Sequence, residues 1–230
     1  MRYSLQHIIE LYQAGNRYEY VFFWGHHARP GMVTKACLSQ WYPAGFHVDG
    51  VEYHCAEQYM MAEKARLFGD EDIRKQVMLC DDPSDIKALG RRVKPFDADV
   101  WSKEAQQIVV KGNLHKFEQH PELCRFLLAT GHRILVEASP CDTIWGIGMK
   151  ESDEGVDNPC LWKGTNLLGF ALMEVRDRLA SLSATGRSDM SSLPCICGHS
   201  ADGRCHCSEQ DPLRFSFGGF QSDSGEAQED

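Results

Sequence analysis

Apolar positions recur with a helical period through most of the first 180 residues. The run HCAEQYMMAEKARLFG reads as a helix that stops at Gly69, and DEDIRKQVMLC as a second helix with acidic residues in its first turn. DPSDIKALGRRV opens with a turn and continues as a short helix. From Asp97 to Phe117 the residues Trp101, Ala105, Ile108 and Val109 share one face, and PELCRFLLATG begins on proline and ends at glycine, as helices commonly do. TNLLGFALMEVRDRLAS predicts an amphipathic closing helix. Strand signals are fewer: YVFFWG, RILVEAS, and the alternating FHVDGVEYH, whose Asp49-Gly50 is a hairpin dipeptide. The expected fold class is α+β, a mostly helical single domain with a small β-sheet and no internal repeat.

Near Ala180 the periodicity gives way to the Ser-rich SLSATGRSDMSSLP. The expected organisation is a domain over 1–182 and a Ser/Cys-rich acidic tail over 183–230 that is too polar to fold by itself. Of the net charge of −9, the tail carries three basic and eight acidic residues, so the domain is only mildly acidic. That balance excludes a broad, sequence-independent grip on duplex DNA, which needs surplus Lys and Arg, but leaves room for a local phosphate pocket. No apolar run approaches the roughly 18 residues of a membrane helix, and the N-terminal stretch lacks a signal-peptide core. Six scattered cysteines point to reduced thiols rather than a disulfide framework, so the expected compartment is the cytoplasm, with the nucleus as the alternative. In the tail, Cys195, Cys197, Cys205 and Cys207 form two Cys-x-Cys pairs. They are candidate zinc ligands, set against a tail that simply contains cysteines. No metal or cofactor is expected in the domain itself.

Three groups of residues are candidates for chemistry. Glu57 and Lys64 lie seven positions apart and so share a helix face with Met61 between them. They are either a solvated ion-pair face or, if Met61 marks the face as buried, a carboxylate and an amine meeting in a cleft. Arg91, Arg92, Lys94, Lys103 and Lys111 flank Trp101, a composition suited to an anionic flat ligand, although Trp101 at a helix start is equally a core anchor. Finally, ASPCDTIWGIG sets Asp142 three residues before Trp145 and follows it with Gly146 and Gly148. The glycines allow close backbone approach, and the alternative is an Asp cap beside a core tryptophan.

These segments, with GRRVKPFDADVW, VVKGNLHKFEQHPELCRFLLATG and LWKGTNLLGFALMEVRDRL, occur in the order found in the NADAR family of YbiA-like N-glycosidases, which the chain resembles from about Tyr20 to Ala180. The resemblance implies hydrolysis of an N-glycosidic bond between a ribose-phosphate and a nitrogenous base. For the YbiA-like branch the implied substrates are the first pyrimidine intermediates of riboflavin synthesis; for other members, ADP-ribose joined to guanine. The family's functional glutamate, lysine, tryptophan and aspartate fall on Glu57, Lys64, Trp101 and Asp142. The histidine that often follows the glutamate is Gln58 here. On this resemblance Glu57, Lys64 and Asp142 are the expected catalytic residues, and Trp101, Trp145, Arg92, Lys94, Gly146 and Gly148 the expected substrate contacts.

Cleaving such a bond builds positive charge at the ribose C1, which fixed carboxylates stabilise. Lys64 has two open roles, phosphate partner or imine-forming nucleophile. The expected partner is a small phosphorylated nucleoside-like substrate, with nucleic acid entering only as an ADP-ribosylated substrate. The alternatives are an ADP-ribose hydrolase acting on such nucleic acid and a non-catalytic module that binds ADP-ribose or NAD.

Overall fold

Short polar side chains set several of the helix starts. Ser4, Asp70, Asp82 and Asp97 each accept hydrogen bonds from N–H groups in the first turn that follows them. They open α1 (Leu5–Gln13), α3 (Glu71–Met78), α4 (Pro83–Gly90) and α5 (Ala98–Gln119). The computed structural model describes residues 2–27 and 31–190, the side chains of 184–190 excepted. Its other helices are α2 (Ala56–Leu67), α6 (Pro121–Ala129) and α7 (Leu167–Met190). The helix α1 is absent from the expected elements, and its signal is Ser4 as cap followed by Ile8, the residue of this helix that is buried.

Strands are short. β1 (Tyr20–Phe23) pairs parallel with β4 (Ile134–Glu137), with Phe23 opposite Glu137. β2 (Phe46–Val48) and β3 (Val51–Tyr53) form the expected antiparallel hairpin, turned by Asp49 and Gly50, both at positive φ. The chain is thus a mostly helical α+β fold, but the anticipated sheet is two separate pairs among the described residues. α7 continues to Met190, past the composition break. The tail cysteines Cys195, Cys197, Cys205 and Cys207 lie outside the described residues.

α2 sits at the centre, packed by α3, α4 and α5, and is buried along Ala56–Met61 as well as at Ala62 and Ala65. α7 packs against β4. Asn166 joins the two: its Nδ2 donates to Leu135 O at 2.9 Å, and its Oδ1 accepts from Glu137 N at 3.0 Å. The first N–H groups of α7, which have no partner within the helix, donate to carbonyls of the preceding Asp142 loop: Leu167 to Ile144 O at 3.2 Å and Leu168 to Trp145 O at 3.1 Å. The carboxyl end of β4, the Asp142 loop and the start of α7 therefore form one hydrogen-bonded unit.

The approach of α7 to β4 requires glycine at position 169, since a Cβ there would fall on Leu135 O and on the Asn166 side chain. Gly169→Ala is expected to lower stability by about 1–3 kcal/mol despite the helix preference for alanine, because the obstruction is backbone and cannot rotate away. Thermal denaturation checks this, and an unchanged Tm contradicts the packing described.

Candidate active site

Glu57 lies in the first turn of α2 with only 6% of its surface exposed. Its N–H donates to Gln40 O at 3.0 Å, and its carboxyl accepts from the Trp41 side chain. Burial dominates its ionisation and lifts its pKa to about 7. Lys87, the Trp41 hydrogen bond and Arg91 oppose the rise, and Asp142 adds to it. The helix N-terminus favours a carboxylate at this position, yet desolvation wins.

Asp142 has two tasks. Its Oδ1 accepts from Ile144 N at 3.0 Å and Trp145 N at 2.8 Å, which shapes its own loop, while Oδ2 stands 3.5 Å from the Lys87 ammonium. Asp142 and Trp145 are half-buried, and Trp145 packs against the core. The structure shows the capping alternative, since Asp142 holds the N–H groups of its own loop beside a Trp145 packed on the core, and it also places Asp142 near the carboxyl of Glu57. Gly146 permits the loop to fold back on β4, for a Cβ there would come within 2.8 Å of Glu137 O and 2.9 Å of Asp142 O. Gly148 N donates to Asp142 O at 3.1 Å, so that N–H serves the loop itself.

Lys64 is two turns along α2 from Glu57. Its Nζ donates to Gly90 O at 2.8 Å, at the end of α4, and lies over the rings of Phe96 at 4.5 Å and Trp101 at 5.3 Å. Burial, then Arg91, lowers its pKa, and Glu57 only partly offsets them. Trp101 is half-buried in the first turn of α5 and turns its ring toward the Lys64 ammonium. Glu57, Lys64, Trp101 and Asp142 are thus brought into one neighbourhood.

The basic cluster read from the sequence is not gathered in the same way. Arg92 and Lys94 are exposed beyond α4, where Lys94 N donates to Asp70 Oδ2 at 2.8 Å. Lys111 pairs with Asp49 at 2.8 Å beside the hairpin. The cations whose charge reaches Glu57 are Lys87 and Arg91. Gln58, where the family often has histidine, is buried and structural: it accepts from His54 N and donates to Val77 O and Cys80 O.

Three residues of this neighbourhood escaped the sequence reading. Lys87 and Trp41 have no local pattern that marks them. Glu137 does, as a carboxylate closing the buried run Ile134-Leu135-Val136. Its pKa is pushed to about 8 by burial and then by Asp142, with Lys87 opposing and Glu57 adding. A separate cavity of about 200 Å³ lies between the hairpin, α2 and α3. Its cations are already matched, Arg66 with Glu63, Arg74 with Glu71 and Lys111 with Asp49. Among the described residues no three His, Cys, Asp or Glu side chains are placed to hold a metal.

Two raised carboxyls have a measurable consequence. Glu57 and Glu137 ordinarily titrate near 4.5, so between that value and about 7 and 8 the folded chain holds more protons than the unfolded one. Their burial therefore costs nothing below about pH 4.5, and the cost grows as pH rises through this window. Glu57→Gln is expected to raise Tm by a few degrees at pH 8 and to leave it nearly unchanged at pH 4.5. A loss of stability at pH 8 contradicts the desolvation described.

The NADAR domain family matches residues 22–180. N-glycosidase R617 of Acanthamoeba polyphaga mimivirus is 46% identical over 165 residues, which cover 69% of this chain and 95% of that protein. N-glycosidase YbiA of Escherichia coli strain K12 is 37% identical over 134 residues, 58% of this chain and 74% of that protein. The NMR structure of Escherichia coli YbiA shares the fold with a TM-score of 0.59 at 27% identity, covering 80% of this chain and 94% of that one. The family match runs from within β1 into α7 and includes Glu57, Lys64, Trp101 and Asp142, and the chain belongs to the NADAR domain family.

Proposed function

We propose that this chain is an N-glycosidase that releases ribose 5-phosphate from phosphorylated ribosylamine pyrimidines, the early intermediates of riboflavin synthesis, and so removes reactive metabolites. Its relatives named N-glycosidase support the enzyme class. The observation that carries the reading is the convergence of Glu57, Lys64 and Asp142: a carboxyl and an amine from α2 and a second carboxyl from the loop after β4, held in one neighbourhood. A module that only bound an anionic ligand would gain nothing from carboxyls there. Catalysis is assigned to residues 1–182 in the cytoplasm, with 183–230 taking no part.

Glu57, poised near neutrality, exchanges protons with substrate and water, while Asp142, fixed by its own loop, opposes positive charge at C1. Lys87 and Arg91 are the cations that act on Glu57 and are offered to the substrate phosphate, with Arg92 and Lys94 on the exposed chain beyond. Trp101 and Trp145 wall the base. A nucleophilic Lys64 needs a pKa lowered by desolvation or by a neighbouring cation, and both causes act on it. Its assigned role is therefore to attack C1 of the ring-opened ribosylamine and form an imine.

The test offers the protein a ribosylaminopyrimidine 5-phosphate and, separately, ADP-ribosylated guanine. Release of ribose 5-phosphate from the first is the expected result; release of ADP-ribose from the second alone transfers the function to ADP-ribose hydrolysis. Borohydride added during turnover is expected to leave a ribose-phosphate adduct on the Lys64 peptide, and Lys64→Arg to be almost inactive. No adduct together with an active Lys64→Arg enzyme makes Lys64 a phosphate partner instead.

A further inference from the structure

Glu137 has a rigid backbone and an unusual side chain. Its N–H donates to Asn166 Oδ1 at 3.0 Å, and its carbonyl accepts from Ile147 N at 3.0 Å, so both main-chain groups are engaged at the carboxyl end of β4. The Oε2 atom is shut away from solvent and has no hydrogen-bond partner among the described residues. The charged groups facing it are Asp142 from the following loop, Glu57 from α2 and Lys87 from α4. A carboxylate oxygen buried without a donor, beside two other carboxyls, is a costly charge, whereas a neutral carboxylic acid fits the place and carries a proton that it can give away.

We propose that Glu137 is the acid that delivers a proton to the base nitrogen as it leaves C1. The proposal rests on the N-glycosidase reading and divides its proton traffic: Asp142 answers the charge at C1, Glu57 exchanges protons with Lys64 and water, and the departing nitrogen takes its proton from Glu137. In the imine route the neutral Lys64 amine adds to C1 of the ring-opened ribosylamine, and one of its protons moves to the base nitrogen. The bond from C1 to that nitrogen then breaks, its electron pair stays with the nitrogen, and the nitrogen takes the Glu137 proton. A protonated imine remains on Lys64. Water adds its oxygen to C1, the bond from C1 to Lys64 breaks, and ribose 5-phosphate leaves as the aldehyde. The extra proton, now on Lys64, returns through Glu57 or water to Glu137, and the cycle closes. Burial beside Asp142 raises the Glu137 pKa to about 8, which keeps the acid loaded at neutral pH.

Two measurements on the full chain decide it. In protein carrying ¹³C at the glutamate side-chain carboxyls, the resonance that disappears in Glu137→Gln is expected to titrate with a midpoint above 7; a midpoint near 5 overturns the proposal. With a ribosylaminopyrimidine 5-phosphate as substrate, Glu137→Gln is expected to lower kcat by about 100-fold with little change in KM and to abolish the fall of kcat on the alkaline side, while Glu137→Asp restores part of the rate. An active wild type with an unaffected Glu137→Gln removes Glu137 from the reaction and leaves the N-glycosidase reading intact. If Glu137→Gln does not fold, Glu137→Asp decides: a wild-type rate with an unaltered alkaline limb overturns the proposal. A wild type inert toward this substrate overturns the reading and the donor role with it.

Discussion

A carboxyl that must stay buried at the start of α2 governs how the surrounding chain is arranged. Glu57 has the Trp41 side chain as donor and Lys87 and Arg91 as distant cations, and none of these comes from its own helix. Trp41 has to be held in place by something else. The segment that carries it is tied to α5: the Lys116 Nζ donates to Cys37 O at 2.8 Å and Ser39 O at 2.9 Å, and Asn113 Nδ2 donates to Gln40 Oε1 at 2.7 Å. Gln40 O then accepts from Glu57 N. A chain of hydrogen bonds thus runs from the C-terminal part of α5 through the 37–41 segment to the carboxyl itself.

Lys116 shows how far the fold goes to keep that segment still. It is fully buried with two carbonyls and the rings of Tyr42 and Phe117 around its ammonium, and burial lowers its pKa to about 8. A buried lysine matched to carbonyls rather than to a carboxylate is a weak source of stability, but it fixes geometry well, because three donors on one atom can bind several main-chain groups at once. The opposite side of the cleft is built differently. There Asn166, the carbonyls that receive the α7 N–H groups and the close approach at Gly146 hold β4 and the Asp142 loop, so Glu137 and Asp142 are presented from a frame with little freedom. α4 supplies Lys87 from a third direction. Raised carboxyl pKa values and a lowered lysine pKa follow from closing these three walls on groups that prefer water.

Much of this is legible in the sequence. The Asp49-Gly50 turn, the helix from Ala56 to Leu67 and the proline and glycine bounds of Pro121–Ala129 follow from local chemistry, and the structure has them. The face shared by Glu57, Met61 and Lys64 was legible as geometry, but whether it met solvent was not, since burial depends on α4 and the 37–41 segment, both distant in sequence. For the same reason Lys87 and Trp41 were invisible: their importance arises only when other elements bring them to Glu57. Glu137 stood at the end of an apolar strand and could have been flagged as the one carboxylate a buried run delivers. The cations around Trp101 illustrate the reverse error of sequence proximity. Arg91 and Arg92 are adjacent in the chain, yet they face Glu57 with Lys64 and Asp70 respectively, and Lys111 on α5 faces Asp49.

On the proposed function, the sugar phosphate sits between Glu57, Lys64 and Asp142. The chain has five tryptophans, and their indole N–H resonances report separate places. Trp41 donates to Glu57, Trp101 lies against Lys64 and Trp145 follows Asp142, whereas Trp162 is buried with its Nε1 donating to Val156 O at 2.7 Å. Titrating ribose 5-phosphate into the full chain and following these resonances by NMR reads that placement. Saturable shifts of Trp41 and Trp101, with Trp162 unmoved, are predicted; saturable binding that leaves Trp41 and Trp101 unchanged contradicts the account.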